Sequence, residues 1–283
     1  IILAPGITNE ALTDHLLSVA EDRRDLLSII DLKGGFIPST ENTNGDSSAG
    51  NRGDIDTTIS NLEARRINSS YGCAYYPWVQ IRDTIAGTTL WAPPSIVGLG
   101  TMAGSEKKTE LWFAPAGFNR GGLSEGAAGI PVTGVRERLT KDQRDKLYEA
   151  NINPIASFPN EGIVVFGQKT LQVTPSALDR INVRRLLIYL KKEISRIAAT
   201  VLFDPNIQVT WNRFIGPAER LMRSVKTRFG LADYKIKLDE ETTTPDLVDR
   251  NIMYAKIFLK PTRAIEYVAV DFVITDSGAS FED

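Results

Sequence analysis

Read from the first residue, the apolar positions change period several times. Residues 1–4 form a short apolar run, stopped by Pro5-Gly6 like a strand end. Residues 9–20 place Leu12, Leu16, Leu17 and Ala20 on one helical face, and residues 26–30 return as a buried strand. That β-α-β order predicts a parallel sheet. Residues 38–54 are almost free of apolar side chains and read as a solvated loop. Asp56 is placed to cap a helix running to about Arg66, with Ile59 and Leu62 inward. Residues 71–82 (YGCAYYPWVQIR) form the most β-rich stretch of this half and read as one strand. Pro93-Pro94 suit the first turn of a helix over 95–106. Thr140 and Gln143 match a capping box for a helix to Ala150. Strands are expected over 152–156, 162–166 and 169–173.

After Pro175 the pattern changes. Residues 181–203 carry a long helical stripe through Val183, Leu186, Leu187, Leu190, Ile194, Ile197, Ala198 and Val201. A second amphipathic helix follows over 209–229, with Gly216-Pro217 as its weak point and Gly230 as its stop. Strands are expected at 234–239, 251–261 and 264–275, with an acidic loop at 240–249. The fold class is therefore α/β: a layered α/β domain over 1–174 and a smaller α+β domain over 175–283.

Composition narrows the function. The chain has 283 residues, about two domains on the usual ~100–200 residues each, with 42% hydrophobic and 24% charged residues. No apolar run approaches the ~18 residues of a membrane helix. Ile1 opens directly on the apolar run with no charged leader, which reads as a piece of a longer chain rather than a signal peptide. The single cysteine, Cys73, excludes an internal disulfide, and with the single histidine, His15, it makes no zinc site. Cys73 reads as a buried inert thiol and His15 as a structural histidine on the first helix.

Two motifs imitate active-site signatures, and a third, Arg52-Gly53-Asp54, is an adhesion-like tripeptide. Gly122-Leu123-Ser124-Glu125-Gly126 spells a nucleophile elbow, the basis of a remote serine-hydrolase reading. The elbow needs a strand before it and a histidine after it; here the flanks are glycine-rich and His15 lies upstream. Gly98-Leu99-Gly100-Thr101-Met102-Ala103 imitates a dinucleotide fingerprint, but Pro93-Pro94 stands where its strand should end, so close helix packing through small residues explains it better. Arg52-Gly53-Asp54 reads as a turn. No phosphate-binding loop of the G-x-x-x-x-G-K-[ST] form occurs, and no cofactor or metal is implied.

Charge is unevenly placed. The net is −2, yet residues 180–228 hold eleven Lys/Arg against three Asp/Glu, a local +8. Arg180, Arg184, Arg185, Lys191, Lys192 and Arg196 flank the apolar stripe of the first long helix. A solvated helical face is the plain reading; a surface that docks on an acidic partner is the functional one. No aromatic residues punctuate this arc as nucleic-acid stacking platforms would. The second feature is the alternation in 264–275, where Ile265, Tyr267, Val268, Val270, Phe272 and Ile274 are candidates for a strand that pairs within its own domain or adds to another subunit's sheet.

Several stretches in order carry a family likeness: Ile2-Leu3-Ala4-Pro5-Gly6, Tyr75-Tyr76-Pro77-Trp78, Trp91-Ala92-Pro93-Pro94-Ser95, Trp112-Phe113-Ala114-Pro115-Ala116, Ile181-Asn182-Val183-Arg184-Arg185-Leu186, Phe203-Asp204-Pro205-Asn206 and Lys260-Pro261-Thr262-Arg263. In these the chain resembles the tail sheath proteins of contractile-tailed bacteriophages of the large myovirus type, without their N-terminal arm. The resemblance implies a structural, non-enzymatic virion subunit, assembled in the host cytoplasm. Such subunits stack as six-fold rings around a tail tube, between baseplate and tail terminator, and contract to drive the tube through the envelope. It assigns no role to nucleic acid or membrane. It makes the basic helix the tube-contact candidate and 264–275 the linking strand. The sheath of a phage-derived secretion or toxin-delivery machine is the alternative. Lacking an arm, the chain alone is expected to be monomeric or weakly associating.

Overall fold

The computed structural model describes residues 1–34, 36, 53–83, 85–267 and 269. Most of the 38–54 loop and everything in the 264–275 segment beyond Tyr267, Ala269 excepted, lie outside the described residues.

The first half is a sheet with helices on both faces. Strands β1 (Ile2–Leu3), β2 (Ser28–Ile30), β3 (Gly72–Tyr76), β7 (Ile152–Phe158) and β8 (Gly162–Val165) lie in the order β1-β2-β3-β7-β8. All neighbours are parallel except β7 and β8. The period-2 pleat sorts the strand side chains to two cores. Cys73, Tyr75, Ile29 and Ile155 enter one with Val97 and Met102 of α3 (Pro94–Lys108). Ala74, Tyr76, Ile30 and Ile152 enter the other with Leu17 of α1 (Glu10–Arg23), Leu62 of α2 (Ile55–Ala64) and Leu147 of α5 (Lys141–Glu149). A parallel sheet buried on both faces is the reason its strands read as continuous apolar runs.

Local chemistry sets the ends. Thr140 and Gln143 form the expected box: the Thr140 amide donates to Gln143 Oε1 at 2.8 Å and the Gln143 amide to Thr140 Oγ1 at 3.3 Å. The cap of α2 is Asp54 rather than Asp56; its carboxylate accepts from the Thr57 amide at 3.1 Å. On α1 the buried face is Thr13, Leu17 and Ala20, while Leu12 is exposed. The expected 71–82 strand is two strands. Pro77, with no N–H to give, ends β3, and β4 (Val79–Arg82) turns into a separate antiparallel sheet between β5 (Thr89–Ala92) and β6 (Val132–Val135). Residues 169–173 form only isolated bridges, Lys169 to Arg180 and Leu171 to Ser69, not a strand.

The second half is a helical hairpin, α6 (Ile181–Ala199) and α7 (Gln208–Thr227), under a two-stranded antiparallel sheet of β9 (Leu231–Lys237) and β10 (Lys256–Pro261). α7 runs unbroken through Pro217. Its end differs from expectation. Phe229, not Gly230, takes the left-handed backbone at φ 63°. Gly230 is required for closeness, since a Cβ there would stand 2.6 Å from Val225 Cγ1. The acidic 240–249 stretch contains the short helix α8 (Pro245–Asp249). Of the expected 264–275 strand, the described residues 264–267 and 269 are not extended into any sheet.

Candidate interaction surface

Helix α6 decides which of the predicted basic residues face outward. Its first six residues, Ile181 to Leu186, are all buried, because this end of the helix enters the core under β3 and α3 while Leu186 and Leu190 pack with Trp112 and Met222. Two of the candidates go inside with it. Arg184, 6% exposed, lies 4.0 Å from the centroid of the Tyr71 ring and donates to Ser70 Oγ. Arg185, 8% exposed, donates to Glu106 Oε2 at 2.6 Å and to the Met102 carbonyl at 3.4 Å. Burial pulls both guanidinium pKa values down, with Glu106 opposing that for Arg185.

Arg180, just before the helix, is spent differently. It forks onto Glu266 at 2.6 and 2.9 Å and pairs with Asp179 at 3.2 Å. Glu266 also accepts from Tyr148 Oη at 2.9 Å and Gln168 Nε2 at 3.3 Å. The start of the predicted linking segment is therefore fastened to its own chain. Ile265 and Tyr267 on either side are exposed, and Val268, Val270, Phe272 and Ile274 lie outside the described residues.

Lys191, Lys192 and Arg196 remain on the surface. Arg196 pairs with Glu193 at 3.0 Å, an exposed contact of low worth. Lys191 lines a groove of about 290 Å³ with Arg24 and with Leu187, Ile188, Ile257 and Leu259. On α7, Arg213 meets Asp204 at 2.7 Å and Lys226 meets Asp233 at 2.8 Å. Arg220 and Arg223 are exposed and make no ion pair among the described residues. The +8 window is thus a basic outer face plus three arginines consumed within the fold.

The catalytic look-alikes are explained by packing. Ser124 Oγ accepts the Ile163 amide at 2.9 Å and so ties its loop to β8. His15, expected as a structural histidine beside the apolar stripe, is instead exposed on α1. Gly98, Gly100 and Gly104 form a close-approach face of α3: added Cβ atoms would stand 2.5 Å from the Tyr75 ring, 2.3 Å from the Ala128 carbonyl and 2.1 Å from the Ala127 carbonyl. Cys73 is fully buried, its thiol pushed up to about 12 by desolvation. Among the described residues no cluster of His, Cys, Asp and Glu could hold a metal, and no helix is long and apolar enough to cross a membrane.

Pattern reading missed one polar residue. Asp31, 1% exposed, accepts the Ser95 amide at 3.1 Å, the Ser95 hydroxyl at 2.6 Å and the Gly6 amide at 2.8 Å. It caps α3 from just past the end of β2, since the Pro93 ring at the N-cap has no acceptor atom. Only a carboxylate at a strand end ahead of Pro-Pro-Ser hints at this in the sequence.

Comparison with known proteins agrees with this architecture. Residues 173–275 match the family model for the phage tail sheath C-terminal domain. The tail sheath protein of Enterobacteria phage T4 is 33% identical over 193 residues, 68% of this chain and 28% of the relative. That of Salmonella phage ViI is 32% identical over 239 residues, 84% of this chain and 37% of the relative. The chain thus spans about a third of the length of the curated relatives it matches. Among solved structures, the contracted sheath complex of an extracellular contractile injection system, PVC, superposes with a TM-score of 0.75 at 22% identity, covering 96% of this chain and 70% of the other. The contracted helical sheath of the anti-feeding prophage superposes at 0.71 and 23% identity, covering 96% and 69%.

Proposed function

Because the chain belongs to the tail sheath family, through its C-terminal domain and its homology to phage sheath proteins, we propose that it is the core of a subunit of a contractile tail sheath. Such a subunit is structural and not an enzyme. It polymerises with itself as stacked hexameric rings around a tail tube, bounded by baseplate and tail terminator. It is assembled in the host cytoplasm and contracts to drive the tube through the host envelope. The single observation that carries this reading is the identity of about one third to phage sheath proteins across most of the chain. The work of contraction is then stored in subunit contacts.

The division into a central domain, 1–174, and a tube-facing domain, 175–283, belongs to the same proposal. So do the tube contacts. Of the six basic candidates, Lys191, Lys192 and Arg196 are exposed and can meet an acidic tube surface, Arg196 by giving up a weak exposed pair with Glu193. Arg180, Arg184 and Arg185 act beneath them as supports. The linking role of Ile265, Tyr267, Val268, Val270, Phe272 and Ile274 is part of the same proposal, with Ile265 and Tyr267 exposed on either side of the anchored Glu266. A second reading, the sheath of an injection machine outside a virion, is favoured by the fold match to the PVC and anti-feeding prophage sheaths.

The test is electron microscopy of the chain joined to the segments its relatives carry outside the match. Hollow tubes are expected, and a monodisperse globular particle at high concentration overturns the reading. Lys191→Glu with Lys192→Glu and Arg196→Glu is expected to leave the thermal midpoint unchanged while abolishing co-sedimentation with purified tubes. Undiminished co-sedimentation removes the basic face from the tube contact.

A further inference from the structure

The turn between α6 and α7 holds apolar side chains out into water. Phe203 is fully exposed and sits at φ 68°, a left-handed backbone that costs a non-glycine residue about 1–2 kcal/mol. Leu202, Ile207 and Val209 are exposed beside it. The turn is nonetheless tightly tied. The Trp211 indole donates to Asn206 Oδ1 at 2.7 Å, Asn206 Nδ2 donates to the Ile252 carbonyl at 3.2 Å, and Arg213 pairs with Asp204 at 2.7 Å. A rigid, strained, apolar knob has the marks of a contact surface.

A matching hollow lies elsewhere on the same molecule. A cleft of about 770 Å³ is walled by Phe113, Phe118, Phe166 and Phe229. Phe229 is the second phenylalanine at a left-handed backbone, φ 63°, and it too is exposed. Two buried acceptors in the cleft wall, Gln168 Oε1 and Asn182 Oδ1, have no donor among the described residues. Their amide nitrogens are already committed to Glu266 and to the Trp112 carbonyl. Charge is complementary as well. Arg120, Lys141, Arg144 and Arg263 line the cleft against Asp145 and Glu266, a basic surplus. Next to the knob, residues 237–252 hold five acidic residues and two basic ones, with Lys237 on Asp239 and Glu241 and Arg250 on Asp246, which leaves a smaller acidic surplus.

The knob cannot reach its own cleft. It precedes the first turn of α7, whereas Phe229 follows the last, and a 20-residue helix spans about 30 Å. We propose that the α6–α7 turn of one copy, led by Phe203, seats in the aromatic cleft of a second copy. This rests on the sheath reading and names a contact within its lattice. The two surfaces differ, so the contact is heterologous and propagates into rings or helices rather than closing as a two-fold dimer.

Site-directed cross-linking tests it. Cys73 is buried, so Leu202→Cys in one preparation and Ala264→Cys in another each place a single accessible thiol, on the knob and on the cleft lining. The two are mixed and oxidised with copper–phenanthroline. A mixed disulfide dimer is expected on a non-reducing gel, and Phe203→Ser added to the Leu202→Cys chain is expected to lower its yield at least tenfold. Equal yield with Leu12→Cys, an exposed site on α1, in place of Ala264→Cys means random collision and overturns the proposal. If no mixed disulfide forms while sedimentation shows the chain self-associating, the contact is wrong and the sheath reading stands. If neither mixed disulfide nor tubes from the extended polypeptide are seen, both fall.

Discussion

Asp31 shows how one buried carboxylate holds two segments in register. It closes the N-terminus of α3 and the Pro5-Gly6 turn at once, and it does so from the end of β2. Burial raises its pKa, against the hydrogen bonds from Ser95 and Gly6 that favour the charged form. Asp31→Asn keeps the shape but offers a single acceptor oxygen to three donors. A loss of about 1–3 kcal/mol is expected, measured by urea denaturation. The sign with pH follows from the raised pKa. The folded protein resists ionising Asp31, so this part of its stability is fully present below the unfolded carboxyl pKa of about 4 and is lost as pH rises through the folded value. The advantage of the native chain over Asp31→Asn is therefore largest at acidic pH and shrinks toward neutrality. A constant difference between pH 3 and 7 contradicts the assignment.

At the scale of elements, α3 and α6 show opposite uses of a helix face. α3 is packed by subtraction: three glycines let the Tyr75 ring and the Ala127 and Ala128 carbonyls come within what would be Cβ distance. Gly104→Ala forces a methyl group to 2.1 Å from the Ala127 carbonyl, and backbone cannot swing away as a flexible side chain does. It is expected to cost about 1–3 kcal/mol despite the better helix propensity of alanine, read as a lowered thermal midpoint. Unchanged or raised stability contradicts the close-packing account. α6 is packed by surroundings. Its apolar stripe is legible in the sequence, yet its first turns are enclosed on every side, and arginines that look solvated become internal struts. Helical periodicity describes one helix; it carries no information about how many neighbours encircle each turn.

Across the whole molecule the two halves are not independent. Trp112, from the first half, is 4% exposed within the α6–α7 core. Its indole donates to the Arg228 carbonyl at 2.9 Å, its carbonyl accepts from Asn182 at 3.2 Å, and the Arg228 guanidinium lies 4.9 Å from its ring centroid. Trp112→Ala removes the plug that joins them. A loss of about 3–5 kcal/mol is expected, with near-ultraviolet and far-ultraviolet circular dichroism no longer melting together as the helical hairpin loosens first. A small loss with coincident melting means the halves are held mainly elsewhere.

Periods and punctuation along the chain determined the α/β class, the parallel pairing of the first strands, the capping box at Thr140, the long basic amphipathic helix and the buried thiol. These depend on neighbours a few residues apart, which a sequence displays directly. The tertiary structure alone decided that residues 71–82 divide between two sheets and that Asp31 caps a helix far from it in sequence. It also decided that Arg184 and Arg185 are internal and that Glu266 is pinned by Arg180. Each of these depends on which distant segment closes over a residue, and burial by a distant segment leaves no local period to read.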